Sequence, residues 1–381
     1  MFKSDFSSIS RRVRLEVDEQ VLLDNFAIVK EHTAGCRVLT VLKANAYGCG
    51  ADRLGPLVVK AGTDRIGVAD LHEALAMQKA VNNAVPVQIL GVVTREELPY
   101  AVENDLVLPV NGLAMARSIS AEAVRLNKVV RVHAILDTGM GRFGLLESNY
   151  LEEIKLIRTL PNLQLEGIYS HFPQAGVSGD AGTLGQIEMF KKVLTVLEKD
   201  GVEFDLRHIA ASDGIQCQEP AISAPFNLVR LGLCWYGLSR AEKGLPFQLG
   251  HSLKLTTTVG AVRRMPAGSN IGYMRSCMLK RDSMVATICA GYADGLPLAL
   301  SNAGRVLING CSCPVLGRVS MDYTMVDVTD VPGTVEWGTP VTLLGSDGKE
   351  NIEFGEYAKL KNTHIHDILC ALGSRVERVY C

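Results

Sequence analysis

Apolar residues along this chain follow two regimes. Through the first two thirds, short β-branched and aliphatic runs alternate with longer stretches whose apolar positions recur at three- and four-residue spacing. The short runs are "VLTVLKA" from Val38, "DRIGVA" from Asp64, "VPVQILGVV" from Val85, "LVLPV" from Leu106, "VVRVHAILD" from Val129, "LQLEGIYSHF" from Leu163, "LRHIAAS" from Leu206 and "NLVRLGLCWYG" from Asn227. Segments such as "LHEALAMQKAV" and "LEEIKLIRTL" between them carry the helical period. Strands alternating with helices predict a parallel sheet. Eight of them, stopping where the composition changes, predict a closed (β/α)8 barrel rather than an open doubly wound sheet.

The change comes between Leu245 and Ser252. Beyond it, "LTTTVGAVRRM", "SMVATICAGY", "RVLING", "CPVLGRV", "YTMVDVT" and "PVTLLG" lie between Gly, Asp and Asn, the pattern of a mostly β domain. Only "FGEYAKLKN" and "HIHDILCALG" read as helices there. The expected division is a barrel over 11–247 and a β-rich domain over 248–381, with residues 1–10 packing with the latter. The early run "VRLEVDE" fits either unit.

Composition narrows the function classes. The 381 residues are 47% hydrophobic and 21% charged, as in a globular protein with a sizeable core. A formal net charge of -2, without a basic arm or acidic tail, argues against nucleic acid or an anionic membrane as partner. The N-terminal stretch lacks the apolar segment of a signal peptide, and ten scattered cysteines read as reduced thiols, so the expected location is cytoplasmic.

In a parallel barrel the chemistry gathers where strands end. Lys43 ends the first run, "DTGMGR" follows the fifth with Asp137 and Arg142, His171 ends the sixth, Ser212 ends the seventh, and Arg230 lies within the eighth. Each has an ordinary reading: a snorkelling lysine, a core histidine, a tight turn, an arginine paired with Asp213. Their shared position favours a joint one. Three cations suggest an anionic ligand, and a desolvated lysine beside other cations is an amine nucleophile toward a carbonyl. Backbone around "LGL" with the Ser212 hydroxyl forms a candidate phosphate cradle, and pyridoxal phosphate is an aldehyde bearing a phosphate.

At this point the motifs are more specific. "VLKANAYGCG", "LDTGMGRFG", "YSHF", "FNLVRLGLCWYGL", "GYADG" and "GRVSMDYTMVDVT" resemble, in order and spacing, the bacterial alanine racemases. The likeness continues to "ILCALGSRVERVYC" and implies an eight-stranded α/β barrel followed by a β domain. It implies that Lys43 holds pyridoxal phosphate as a Schiff base and acts as one of two bases. Tyr47, Ser212, Gly232 and Leu233 are then phosphate contacts, and His171 packs on the pyridine ring. Arg230 faces the ring nitrogen, and Arg142 reaches the cofactor's phenolic oxygen. Tyr273 of "NIGYMRS" takes the place of the second base, delivered by the partner in a head-to-tail homodimer. Tyr292, Met321 and Asp322 line the substrate side, beside Arg142. The implied activity is interconversion of L- and D-alanine, supplying D-alanine for peptidoglycan.

Two positions depart from the family pattern. A lysine that is carbamylated in many members is Ile135 here, so Arg142 must be oriented by another group. The family's "NYE" tyrosine near the phosphate is His366, which predicts an altered entrance and keeps open a racemase of wider range, acting on serine or basic amino acids. His364 with His366, and Cys311 with Cys313, read as turn and strand residues rather than metal ligands, so no metal is expected. A same-fold decarboxylase is disfavoured because no "CGPTCD"-like segment occurs. A single-barrel cofactor-binding regulator is disfavoured by the second domain, and a cofactor-free aldolase by the phosphate cradle.

Overall fold

The structure, a computed structural model, describes residues 10–239 and 246–381. Two compact units divide the chain: Leu22–Ala46 with Gly50–Gly250, and a β-rich unit comprising the chain to Val21, Tyr47–Cys49 and His251–Cys381.

After the first strand β1 (Arg14–Val17), the barrel unit's strands are β2 (Arg37–Val41), β3 (Arg65–Val68), β4 (Val87–Ile89) and β5 (Leu108–Val110). They are followed by β6 (Val130–Ile135), β7 (Leu163–Tyr169), β8 (Leu206–His208) and β9 (Leu228–Leu231). All eight expected strands form. The order β4-β3-β2-β9 is parallel, as is β5-β6-β7-β8. A parallel bridge from Gln88 to Val107 joins β4 to β5, and the amides of Asn227 and Arg230 donate to the carbonyls of Arg207 and Ala210, joining β8 to β9. The ring therefore closes. Helices cover the outer face, so β3, β4, β5 and β9 are buried along their whole length, which is why they read as continuous apolar runs.

In the β-rich unit, β10 (Leu253–Met265) alternates buried and part-buried residues over 253–260, as a strand with one covered face should, and is exposed or part-buried beyond. After it come, among others, β11 (Ser283–Ile288), β12 (Arg305–Ile308), β13 (Cys311–Leu316), β14 (Thr324–Asp327), β15 (Pro340–Asp347) and the final β16 (Glu377–Tyr380). β10 pairs with both β11 and β15, and the ladders β15-β12-β13-β14-β11 complete a six-stranded ring. The run "VRLEVDE", within the expected 11–247 barrel, belongs here instead. Its strand β1 pairs antiparallel with β10 and parallel with β16, which satisfies both of its edges.

Candidate active site

Lys43 lies two residues beyond the end of β2, whose residues Val38 to Val41 are buried, yet it is itself exposed. The expectation of a desolvated lysine does not hold in the single chain, where Lys43 is exposed at the start of a backbone turn. That turn is left-handed. Ala44, Asn45, Ala46 and Tyr47 have φ between 52 and 55°. L-residues adopt this conformation at a cost of about 1–2 kcal/mol each. Local bonds must hold it. In the barrel unit, the Glu73 carboxylate accepts the Ala44 amide at 2.6 Å and the Ala69 amide at 2.9 Å. Asn45 Oδ1 accepts the Ala51 amide at 2.8 Å, and the Tyr236 hydroxyl donates to the Ala46 carbonyl at 2.9 Å.

The same rim carries the other predicted groups. After β6, Asp137 Oδ1 accepts the amides of Gly139, Met140 and Gly141 at 2.9, 2.8 and 3.1 Å. Burial alone would raise its carboxyl, but these amides, with Arg142 nearby, outweigh that and hold it below the usual range. Arg142 is exposed, with its guanidinium 4.7 Å from the Phe143 ring centroid. Ile135, in place of the family's lysine, is buried against Gly144, where an added Cβ would meet Ile135 Cγ2 at 3.1 Å.

His171 follows β7 and Ser212 follows β8. Ser212 is buried, and its hydroxyl accepts the Cys234 amide at 3.2 Å, which brings it against the Gly232 and Leu233 turn after β9. A serine hydroxyl and a tight backbone turn converging at strand ends form a cradle suited to a phosphate. Arg230, also buried, donates through Nη2 to the carbonyls of Ser170 and Ile209, both at 2.8 Å, and to His171 Nδ1 at 3.1 Å; Nη1 donates to His208 Nδ1 at 2.9 Å. Lys43, Arg142, His171, Ser212, Arg230, Gly232 and Leu233 are thus all at or beside the carboxyl ends of the barrel strands.

The β-rich unit holds the remaining predicted residues. Tyr47 is buried, its ring 5.4 Å from the His366 ring at 78°. The segment from Tyr47 to Cys49 is clasped from the chain end: Arg378 Nε donates to the Gly48 carbonyl at 2.8 Å, and the Tyr380 hydroxyl to the Cys49 carbonyl at 2.9 Å. Gly48, at φ 84°, could not be replaced without strain, since a Cβ would lie 2.7 Å from the Leu369 carbonyl oxygen. Tyr273 stands between Gly272 and Met274, both with positive φ, and is 68% exposed. Tyr292 and Met321 are brought together by the Tyr292 amide donating to the Ser320 carbonyl and the Ala293 amide to that of Met321. Arg375 pairs with Asp322 at 2.8 Å and with buried Asp294 at 3.3 Å, fixing Asp322 beside the "GYADG" turn.

Sequence reasoning missed Glu73, Tyr236, Arg378 and Tyr380, whose hydrogen bonds described above go to backbone, and the buried histidines His133 and His208. A histidine inside an otherwise apolar run, as in "VVRVHAILD", was the available signal. Among the described residues, no three His, Cys, Asp or Glu side chains gather as metal ligands.

Residues 17–240 match the model of the alanine racemase N-terminal domain, and 252–380 that of the alanine racemase C-terminal domain. An alanine racemase of Methanococcus maripaludis is 36% identical over 98% of this chain and 99% of the relative. Alanine racemase 2 of Caldanaerobacter subterraneus is 35% identical over 97% and 95%. Among solved structures, alanine racemase from Bartonella henselae with covalently bound pyridoxal phosphate superposes with TM-score 0.87 at 29% identity, covering 97% of this chain and 99% of that one. Alanine racemase from Bacillus anthracis with bound L-Ala-P gives 0.88 at 32%, covering 98% and 96%.

Proposed function

Since this chain belongs to the alanine racemase family, we propose that it is a pyridoxal phosphate-dependent racemase interconverting L- and D-alanine. The observation that carries this is the convergence of an amine, two guanidiniums, an imidazole and a hydroxyl cradle at one end of the barrel. When bound, pyridoxal phosphate supplies electron withdrawal that acidifies the Cα–H of an attached amino acid.

The chain's residues supply the rest. Lys43 is the covalent anchor, and its amine takes and returns the Cα proton on one face. Tyr273 serves the opposite face, from a second copy of the chain. Its exposure of 68%, with Met321, Tyr323 and Tyr292 also exposed in the β-rich unit, supports a homodimer in which the phenol meets a site on another molecule. By the family resemblance, Ser212, Tyr47, Gly232 and Leu233 would hold the phosphate, and His171 would pack on the ring. Arg230, always protonated, would donate to the ring nitrogen and so disfavour a proton there. Arg142 binds the phenolic oxygen and, with Tyr292, Met321 and Asp322, the substrate. Because Ile135 cannot be carbamylated, purified protein should carry no carbamyl mass and still need Arg142.

Where the enzyme works in the cytoplasm, its D-alanine enters peptidoglycan. No helix among the described residues is long and apolar enough to cross a membrane. A wider substrate range remains a second reading, favoured by His366 standing edge-on to Tyr47. A chiral product panel over Ala, Ser, Lys and Arg separates the two. Borohydride should abolish a visible cofactor band and leave its label on Lys43; a protein without that band is not this enzyme.

A further inference from the structure

Inside the barrel unit a line of polar side chains crosses an otherwise apolar interior. Glu166 Oε2 lies 2.9 Å from His133 Nε2, His133 Nδ1 lies 3.0 Å from His208 Nε2, and His208 Nδ1 lies 2.9 Å from Arg230 Nη1. Both imidazoles are fully buried. The far end is anchored by Arg65, whose Nη1 and Nη2 reach the two Glu166 oxygens at 3.0 and 3.1 Å. Arg131 stands 3.8 Å from the same carboxylate. The place is built for the first imidazole: a Cβ on Gly167 would sit 2.6 Å from the His133 ring. Tyr169 stacks on His208 at 4.8 Å and 11°, fixing the second ring.

Arg65 Nη1 lies 3.4 Å from His133 Nε2 but closer, at 3.0 Å, to the Glu166 oxygen, and with that donor spent on the carboxylate, hydrogen-bond chemistry favours one arrangement of protons. A guanidinium only donates, an ionised carboxylate only accepts, and a neutral imidazole does one of each. Arg230 must donate to His208 Nδ1, so His208 carries its hydrogen on Nε2 and gives it to His133 Nδ1. His133 then carries its hydrogen on Nε2 and gives it to Glu166. A further proton on either ring would set two hydrogens against each other. Burial favours the same state, pushing both imidazoles below the usual histidine range, while Arg65 and His133 hold Glu166 well below the usual carboxylate range.

We infer that Glu166, His133 and His208 form a clamp of fixed polarity that orients Arg230 as a donor and admits no mobile proton near it. Glu166 and His133 are therefore positioning residues for the reaction. The link to catalysis rests on the proposed role of Arg230; the proton arrangement does not. Glu166→Gln removes the charge and replaces one of the two acceptor oxygens by an NH2, so the chain loses its fixed starting acceptor. If Gln at 166 donates its amide, both imidazoles exchange tautomers, and His208 then points an N–H at the Arg230 N–H.

The test uses 15N-histidine-labelled protein, with and without pyridoxal phosphate, and long-range proton–nitrogen correlation. Both rings should be neutral with hydrogen on Nε2 between pH 6 and 9, a window in the range of ordinary histidine titration. A cationic ring, or hydrogen on Nδ1 of either, overturns the clamp. Glu166→Gln should lower kcat in both directions by roughly 10- to 100-fold, as loss of an outer partner does at metal sites, with KM nearly unchanged and the cofactor's absorption shifted. A variant merely less heat-stable, with kcat and spectrum intact, overturns the positioning role. Protein showing the tautomers but not binding the cofactor would remove the racemase reading and leave the clamp standing.

Discussion

Replacing Glu73 by Gln tests how the left-handed turn after Lys43 is held. Four residues from Ala44 to Tyr47 have positive φ, which costs roughly 4–8 kcal/mol at 1–2 kcal/mol each. Glu73 is a carboxylate bonded to that turn, taking the Ala44 and Ala69 amides with separate oxygens. A glutamine keeps one acceptor and turns an NH2 toward the other amide. A hydrogen bond to a charged group contributes about 1.5–3 kcal/mol, and the half-buried position puts this loss near 2 kcal/mol. If that free energy is taken from the cofactor-competent turn, pyridoxal phosphate affinity falls about 30-fold, since each 1.4 kcal/mol is tenfold. Fluorescence titration of the cofactor-free protein measures the affinity, and hydrogen exchange at Ala44 to Ala46 reports the turn. Affinity within twofold of the parent, with exchange unchanged, would show that the turn does not depend on this carboxylate.

Arg378→Lys should lose roughly 3 kcal/mol of stability, because one ammonium cannot replace a guanidinium bonded to the carbonyls of Gly48, Leu372, Gly373 and Val376; urea unfolding measures it. Gly167→Ala should cost about 1–3 kcal/mol by displacing the His133 ring, an overpacking effect seen in thermal unfolding. Stability should also fall as pH drops below about 6.5. The folded His133 and His208 have lowered pKa values, so the unfolded chain binds the protons first; with both rings engaged the slope approaches about 2.7 kcal/mol per pH unit. Urea midpoints between pH 7.5 and 5 check this, and a flat profile contradicts it. Tyr273→Phe should leave the cofactor bound while racemisation collapses in at least one direction, which a spectrum and a chiral assay separate.

The eight barrel strands were legible because a strand covered on both faces shows an unbroken apolar run, and the rim residues were legible because polar groups end those runs. The placement of β1 was not. Four residues with alternating burial can pair anywhere, and their partners, β10 and β16, lie hundreds of residues away. Nor was the left-handed turn visible, since "ANAY" contains no glycine and its conformation is imposed by Glu73, Asn45 and Tyr236. His133 and His208 were present in the strands, but only three-dimensional register shows that they face each other across β6 and β8.

Racemisation itself is most directly tested by isotope. Protein loaded with pyridoxal phosphate is given L-alanine, and separately D-alanine, in deuterated water, and the products are resolved by chirality and mass. Each enantiomer should yield its mirror image carrying deuterium at Cα, in amounts approaching equality. Alanine recovered with its configuration and its protium intact in both experiments would contradict the account.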